Sequence, residues 1–153
     1  MDVDYVVAGY VFNERTEDDT TLLLVQNNKL GLWLPPGGHL KHGEIFDVGV
    51  CREIKEETNL DVVLLNMGTL PVEGTMRRNL AVPFYVNVHS AAGRNNHCFF
   101  YICRALNPEE LRSNPEVKDA RWHSLDDLRA DHIPPDVKSQ GRLAFAVYMD
   151  IRF

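Results

Sequence analysis

The sequence has few cysteines and no long hydrophobic run, and both absences exclude classes of protein. The cysteines are Cys51, Cys98 and Cys103. Because they are odd in number and lack the spacing of metal-binding pairs, we expect free thiols in a reducing compartment. The sequence contains no run of about 18 apolar residues, so we expect no membrane-spanning helix. The N-terminal residues also lack the basic region and apolar core of a signal peptide, so we expect a cytoplasmic protein.

An excess of basic residues is also missing. The chain has 16 Lys and Arg residues against 22 Asp and Glu residues, which gives a formal net charge of −6. A basic surface of the kind that holds nucleic-acid phosphates is therefore not expected, and we predict no stable nucleic-acid binding. If the ligand of this acidic chain is itself an anion, bound cations are needed between the two.

Length and composition are those of an ordinary globular domain. The 153 residues are 44% hydrophobic and 25% charged, which is typical of a chain that buries a real core. Internal repeats, low-complexity tracts and linkers do not occur in the sequence. We therefore predict a single domain over residues 1–153.

Strand and helix signals are mixed along the chain without strict alternation. Runs of β-branched and aromatic residues predict strands over residues 5–12, 21–25, 61–65, 67–70, 81–88, 97–104 and 120–123. Turn signals join the first two strands into one hairpin, and a loop over residues 89–96 closes another. Helical periodicity predicts helices over residues 45–58 and 137–149, the second with Leu143, Val147 and Phe145 facing inward. The expected fold class is α/β (α+β) with a mixed sheet.

Residues 38–60 contain an unusual concentration of acidic residues. Four glutamates lie in the first predicted helix or just before it: Glu44, Glu53, Glu56 and Glu57. Like charges four residues apart repel on a helix, and acids in the last turn oppose the helix dipole. One interpretation is a site for a divalent cation with oxygen ligands. The other is a solvated acidic face with Arg52 and Lys55 as counter-charges. These residues alone leave both open.

The spacing of this segment resembles the Nudix box, G-x5-E-x7-R-E-U-x-E-E-x-G-U, in which U is a bulky aliphatic residue. The matching positions are Gly38, Glu44, Arg52, Glu53, Ile54, Glu56, Glu57 and Leu60. One position departs, since Asn59 stands where the family has a second glycine. That residue follows the helix in a left-handed conformation, which asparagine tolerates next best after glycine.

The resemblance implies a fold and a chemistry. The expected fold is the Nudix fold, a mixed sheet in an α/β/α sandwich with the box as a loop–helix–loop. The expected activity is Mg²⁺-dependent cleavage of a phosphoanhydride in a nucleoside diphosphate linked to another group, with Mn²⁺ able to substitute. The resemblance assigns catalytic and metal-binding roles to Glu53, Glu56 and Glu57, and gives Arg52 the task of orienting these carboxylates.

Further residues are weaker candidates for the same site. The resemblance implies that the backbone carbonyl of Gly38 is a metal ligand. Glu116 has a sequence position similar to that of an auxiliary metal-binding carboxylate in MutT-like members, although it could equally be a solvated acid in a loop. Trp33, Phe84 and Arg78 are candidates for binding the substrate. The aromatic pair could equally belong to the core, and the arginine could simply be exposed.

Three functions remain open from the sequence. The favoured one is a (deoxy)nucleoside triphosphate pyrophosphohydrolase acting on a small-molecule nucleotide. The alternatives are a pyrophosphatase for ADP-ribose or another nucleotide sugar, and a non-catalytic Nudix-like module that senses nucleotides. The protein could act as a monomer or as a homodimer.

Overall fold

A mixed β-sheet with one helix on each face forms the body of the protein. The computed structural model describes residues 3–16, 18–91 and 93–152. The strands are β1 (Val3–Glu14), β2 (Thr20–Asn27), β3 (Trp33–Leu34), β4 (Gly37–His39), β5 (Val62–Leu64), β6 (Tyr85–Ala91), β7 (Arg94–Ala105) and β8 (Val117–His123). The helices are α1 (Phe46–Thr58) and α2 (Pro135–Ile151), and the segments Pro108–Glu110 and Asp126–Arg129 are 3₁₀ turns.

Strand β1 is the centre of the sheet. One of its edges pairs in parallel with β7 along most of its length. Its other edge pairs antiparallel with β4 and, further along, with β2. β2 extends the sheet to β3 and β8, whereas β7 carries β5 and β6. The short strand β4 therefore brings the glycine-rich turn directly onto the central strand.

Successive side chains of β1 point to opposite faces of the sheet, and a hydrophobic core forms on each face. On one face Val7 and Val11 pack with Ile54 of α1. On the other face Phe12 stacks on Tyr148 of α2, with ring centroids 4.2 Å apart and an interplanar angle of 8°. Full burial of each such side chain contributes about 1.5–3 kcal/mol. The result is the α/β/α sandwich that the sequence predicts.

Gly9 lets α1 approach the sheet closely. A Cβ atom at this position would lie 2.7 Å from Ile54 Cδ1 and 2.8 Å from Cys103 Sγ. A side chain at this position would force Ile54 or Cys103 to shift, because packed interiors leave no free space for an extra methyl group. Gly9 therefore lets the side chain of Ile54 pack directly against the central strand.

The mixed fold, the first hairpin and the helix over residues 46–58 confirm the sequence prediction. The predicted strand boundaries near residue 81 are wrong, since β6 begins only at Tyr85. Ala81 forms an isolated bridge with Met67, and the strand predicted over residues 67–70 is absent there. Pro83 offers no backbone N–H, so the ladder cannot continue through it.

The second hairpin has a shorter turn than predicted. Residues 89–91 and 94–96, assigned to a loop from sequence, pair with one another in strands β6 and β7. Their side chains are mostly exposed and polar, so the apolar alternation that marks a strand is missing there. Gly93, with φ +74°, lies in the turn itself.

The inward face of α2 was only partly predicted. Phe145 is buried as expected, and Val147 is partly buried. Leu143 was wrongly placed inward, since 41% of it is exposed. It lies about 200° around the helix from Phe145, at 100° per residue. Within the described ranges, neither helix is long and apolar enough to cross a bilayer.

Candidate active site

Asn59 ends α1 as the sequence predicts. Its backbone is left-handed, with φ +66°, and its N–H donates to the carbonyl of Lys55 at 2.9 Å. The Asn59 side chain also donates to the carbonyl of Glu110 at 3.0 Å. Asparagine therefore makes the turn that glycine makes in the box and adds a tether to the 3₁₀ turn before β8.

Two glycines bring the β4 turn against α1. A Cβ atom at Gly37 would overlap the carbonyl of Val7 and lie 2.6 Å from Ala8 Cα. A Cβ atom at Gly38 would lie 2.5 Å from Glu53 Oε2. The absence of these side chains therefore gives the Glu53 carboxylate its place beside the turn.

Arg52 gathers three of the box carboxylates around one guanidinium. Its Nε and Nη2 donate to the two oxygens of Glu44 at 2.7 and 2.9 Å. Its Nη1 donates to Glu53 Oε1 at 2.8 Å and to both oxygens of Glu56 at 3.2 Å. Such bidentate, charge-assisted pairs are the strongest hydrogen bonds available to these groups. The guanidinium thus holds side chains that would otherwise repel one another.

Glu44 is the most tightly held of these acids. Besides Arg52, it accepts a hydrogen bond from the backbone N–H of Lys41 at 3.1 Å. The hydrogen bonds from Arg52, followed by that from Lys41, lower the pKa of Glu44 to about 2. Its two oxygens are both used by protein donors. Glu44 is therefore suited to anchoring the loop and Arg52, and less suited to holding a cation.

Glu57 stands apart from the arginine and faces the glycine turn. The backbone N–H of Gly37 donates to Glu57 Oε1 at 2.8 Å. Burial raises the pKa of Glu57 to about 7, and the negative charges of Glu53, Glu116 and Glu56 add to the rise. The Gly37 hydrogen bond opposes this shift but does not cancel it. A carboxylate that is hard to ionise beside other acids is typical of a functional site.

The donor set fits a hard divalent cation. Glu53 and Glu57 each have one oxygen held by a protein donor, and within the described residues their Oε2 atoms accept no hydrogen bond. The side chains of Glu53, Glu56 and Glu57 offer oxygen ligands, which suit Mg²⁺ or Mn²⁺ better than softer metals. In the part of the chain that the structure describes, no three acidic, His or Cys side chains already converge at metal-ligand spacing. Binding a cation therefore requires Glu53, Glu56 and Glu57 to turn toward one another.

Glu116, the weak metal candidate, lies in the loop just before β8. Its charge contributes to the raised pKa of Glu57, so its carboxylate lies within electrostatic reach of the box. Its backbone N–H is held by the side chain of Asn114 at 2.8 Å. The loop therefore brings a fifth acid close to the end of α1.

The three substrate candidates have partners of their own. Trp33 is 6% exposed, and its ring centroid lies 5.6 Å from those of His123 and His132. Phe84 is half-buried, with its ring 5.6 Å from that of Tyr10. The third candidate, Arg78, is exposed and lies 3.9 Å from the carboxylate of Asp47. Trp33 and Phe84 pack with the core on the α2 face of the sheet.

Asp47 is a buried acid that sequence reasoning missed. It is 8% exposed, and its two oxygens accept the backbone N–H of Ala81 at 3.1 and 3.3 Å. It thereby holds the long connection between β5 and β6 against the start of α1. An acid in the first turn of a helix is normally explained by the helix dipole. The sequence therefore gave no separate signal for this contact.

The family model for the NUDIX domain matches residues 4–144. The chain belongs to the Nudix family. Members of this family are hydrolases that act on phosphoanhydrides and generally use divalent metal ions. The match spans almost the entire sheet, all of α1 and the first part of α2, so the family resemblance of the box extends to the fold around it.

Relatives and solved structures agree with this assignment. Nudix hydrolase 1 of Caenorhabditis elegans is 28% identical over 136 residues, which cover 86% of this chain and 32% of the relative. A NUDIX-family hydrolase from Clostridium perfringens shares the fold with a TM-score of 0.78 and 22% identity, over 94% of this chain and 96% of that one. The MutT protein of Methanosarcina mazei has a TM-score of 0.69 and 16% identity, over 94% of each chain. The chain spans about a third of the length of the curated relatives that it matches.

Proposed function

We propose that this chain is a Mg²⁺-dependent hydrolase that cleaves a phosphoanhydride bond of a nucleoside diphosphate linked to another group. The observation that carries the proposal is the gathering of Glu53 and Glu56 on Arg52, beside Glu57 and the Gly37–Gly38 turn. The single positive charge of Arg52 does not balance this group of acids, and a divalent cation would neutralise the remaining negative charge. A nucleotide phosphate chain is the anionic ligand that such a cation would recruit.

Glu53, Glu56 and Glu57 are the proposed ligands, with the carbonyl of Gly38 and the side chain of Glu116 as further oxygen donors. When bound, Mg²⁺, or Mn²⁺ in its place, would neutralise charge that develops on the phosphate oxygens and orient the reacting groups. Arg52 and Glu44 would hold the ligands in position, as residues around a metal site commonly do. Arg52 would act through the carboxylates that it contacts.

The proposed reaction is attack of a water molecule on a phosphorus atom of the phosphoanhydride. The new P–O bond forms as the bridging P–O bond breaks, and the leaving phosphate keeps the bonding electron pair. Glu53 is the proposed acceptor of the water's proton, since it lies beside the Gly38 turn and keeps one oxygen without a donor among the described residues. For a nucleoside triphosphate the products are a nucleoside monophosphate and pyrophosphate.

The proposed substrate class is a (deoxy)nucleoside triphosphate, in keeping with the MutT-like fold. Trp33, Phe84 and Arg78 are the proposed substrate contacts outside the box, and a small-molecule nucleotide is the proposed partner. An ADP-ribose or other nucleotide-sugar pyrophosphatase is the alternative within the same chemistry. A dinucleoside polyphosphate belongs on the same panel, because an Ap4A hydrolase from Caenorhabditis elegans shares the fold with a TM-score of 0.73 and 18% identity.

A substrate panel tests this proposal. The purified chain is incubated with MgCl₂ and, separately, with canonical and oxidised nucleoside triphosphates, ADP-ribose, a UDP-sugar and a dinucleoside tetraphosphate. Products are identified by mass spectrometry. We expect Mg²⁺-dependent release of a nucleoside monophosphate, fastest from a triphosphate. Tight nucleotide binding by calorimetry without any product would overturn the hydrolase and favour a sensing module.

A further inference from the structure

The loop over residues 111–116 brings an acid to the box from outside it. Glu116 is the last residue of this loop, and β8 begins at the next residue. The loop has no helix or strand of its own after the 3₁₀ turn Pro108–Glu110. Segments without regular structure are the most mobile part of a fold, unless side-chain contacts hold them. The position of the Glu116 carboxylate therefore depends on what holds this loop.

Asn114 joins the loop to the acidic end of α1. Its side-chain Nδ2 donates to the carbonyl of Glu56 at 2.5 Å. Its Oδ1 accepts the backbone N–H of Glu116 at 2.8 Å. The carbonyl of Glu56 lies in the last turn of the helix, where backbone acceptors lack partners within the helix. One side chain thus connects the backbones of two candidate metal ligands.

Asn28 holds the same loop from the side of the sheet. Its side-chain Nδ2 donates to the carbonyl of Pro115, and its backbone N–H donates to the carbonyl of Glu116 at 3.3 Å. The contacts of Asn28 connect the loop to the end of β2. The contacts of Asn114 connect it to α1 instead. A backbone bond from the N–H of Arg112 to the carbonyl of Thr58, at 3.0 Å, also joins the start of the loop to α1. Asn114 adds a side-chain contact at the Glu116 end of the loop, where the acid lies.

We propose that Asn114 is a positioning residue of the active site, which holds Glu116 beside Glu57 so that the loop acid can contribute to cation binding. This inference rests on the proposed function. The two hydrogen bonds of Asn114 tie the backbone of Glu116 to that of Glu56, the residue next to Glu57. Asn114 acts through Glu116 and does not itself bind the cation.

Mn²⁺ binding without substrate tests this role. Binding is followed by electron paramagnetic resonance of free Mn²⁺ for the wild type, Asn114→Ala, Glu116→Gln and the double variant. Loss of a group that orients a metal ligand typically costs about 10–100-fold in metal affinity or activity. We expect Asn114→Ala and Glu116→Gln each to weaken Mn²⁺ binding by about tenfold, and the double variant to be no weaker than either single variant.

A matched control separates positioning from folding. Asn107 also bridges two chain segments, by accepting the N–H of Asp61 at 2.8 Å and donating to Glu110 at 2.6 Å, but it contacts none of the box carboxylates in the described structure. We expect Asn107→Ala to leave Mn²⁺ affinity within about twofold of the wild type. All variants are first compared by circular dichroism and thermal melting.

The outcomes distinguish this inference from the proposed function. If the effects of Asn114→Ala and Glu116→Gln multiply in the double variant, Asn114 does not act through Glu116 and the inference is wrong, even where the wild type hydrolyses nucleotides. The same holds if Asn107→Ala weakens Mn²⁺ binding as much as Asn114→Ala does. If the wild type binds Mn²⁺ with this coupling but releases no product from any nucleotide, the hydrolase is wrong and the positioning role stands.

Discussion

At the scale of single residues, the four box carboxylates have different surroundings and therefore different tasks. Glu44 is bound by three protein donors, and its pKa is lowered to about 2. Glu57 receives one donor, and burial raises its pKa to about 7. An acid that ionises reluctantly in the metal-free protein gains most from a neighbouring cation. We therefore expect Glu57 to link cation binding to pH.

The pH dependence of stability tests this difference. In metal-free protein with chelator, burial raises the pKa of folded Glu57 to about 7, so the residue keeps its proton up to that pH, whereas in the unfolded chain its pKa is the ordinary 4.5. The folded state then binds more protons, so this residue makes stability fall as pH rises from about 4.5 to 7. We expect the melting temperature of the wild type, relative to that of Glu57→Gln, to fall by about 5 °C between pH 5 and pH 8.

Two other titratable residues, Glu44 and His123, do not affect this comparison of melting temperatures. Glu44 remains ionised in the folded state throughout that range, because its pKa is lowered to about 2. Burial lowers the pKa of His123, which makes stability rise with pH, but this residue is present in both proteins and cancels in the comparison. An identical pH profile for wild type and Glu57→Gln would show that burial does not affect the Glu57 proton.

At the scale of elements, the site is built where the β4 turn, the end of α1 and the loop before β8 meet. Gly37 pairs with Ala8 of β1 and donates its N–H to Glu57, so the turn contacts both the sheet and the box. The left-handed Asn59 then turns the chain away at the end of the helix. The backbone of these elements, and not only their side chains, places the acids.

Gly37→Ala tests this dependence on backbone contact. The added Cβ would overlap the backbone of Val7 and Ala8, which cannot yield as a flexible side chain can. Overpacking of this kind costs about 1–3 kcal/mol, and we expect a similar loss in the free energy of unfolding by urea denaturation. Gly68→Ala is the control, because its Cβ would meet its nearest atoms at 3.3 Å, where a shift of a few tenths of an ångström relieves the contact. Equal losses in the two variants would mean that the Gly37 contact has no special role.

At the scale of the whole molecule, the features that could be predicted from the sequence are those that depend on the pattern of neighbouring residues. The mixed sheet, the sandwich and the helix of the box follow from alternation and from spacing within a few residues. The boundaries of β6 could not be predicted, because its outer residues are exposed and lack apolar alternation. Leu143 was assigned to the wrong side of α2, since only the packing of Phe145 and Tyr148 shows which stripe is buried.

The contacts that arrange the site were the least predictable. Asp47 reaches Ala81, 34 residues away in sequence, and Asn114 reaches Glu56 over 58 residues. A polar residue in a loop or in a first helical turn gives no sequence signal for a partner at that distance. Motif spacing thus located the carboxylates, whereas the structure was needed to find the residues that hold them.

We propose that hydrolysis depends on the carboxylates around Arg52 and Glu57 together with a divalent cation. The measurement that tests it most directly is the turnover of the best nucleotide from the panel at saturating Mg²⁺, for wild type and Glu53→Gln. The substitution keeps the shape of the side chain but removes its charge and its capacity to accept a proton. We predict a fall in kcat of about 10²–10⁴-fold with unchanged thermal melting. Equal turnover by the two proteins would show that Glu53 takes no part in hydrolysis.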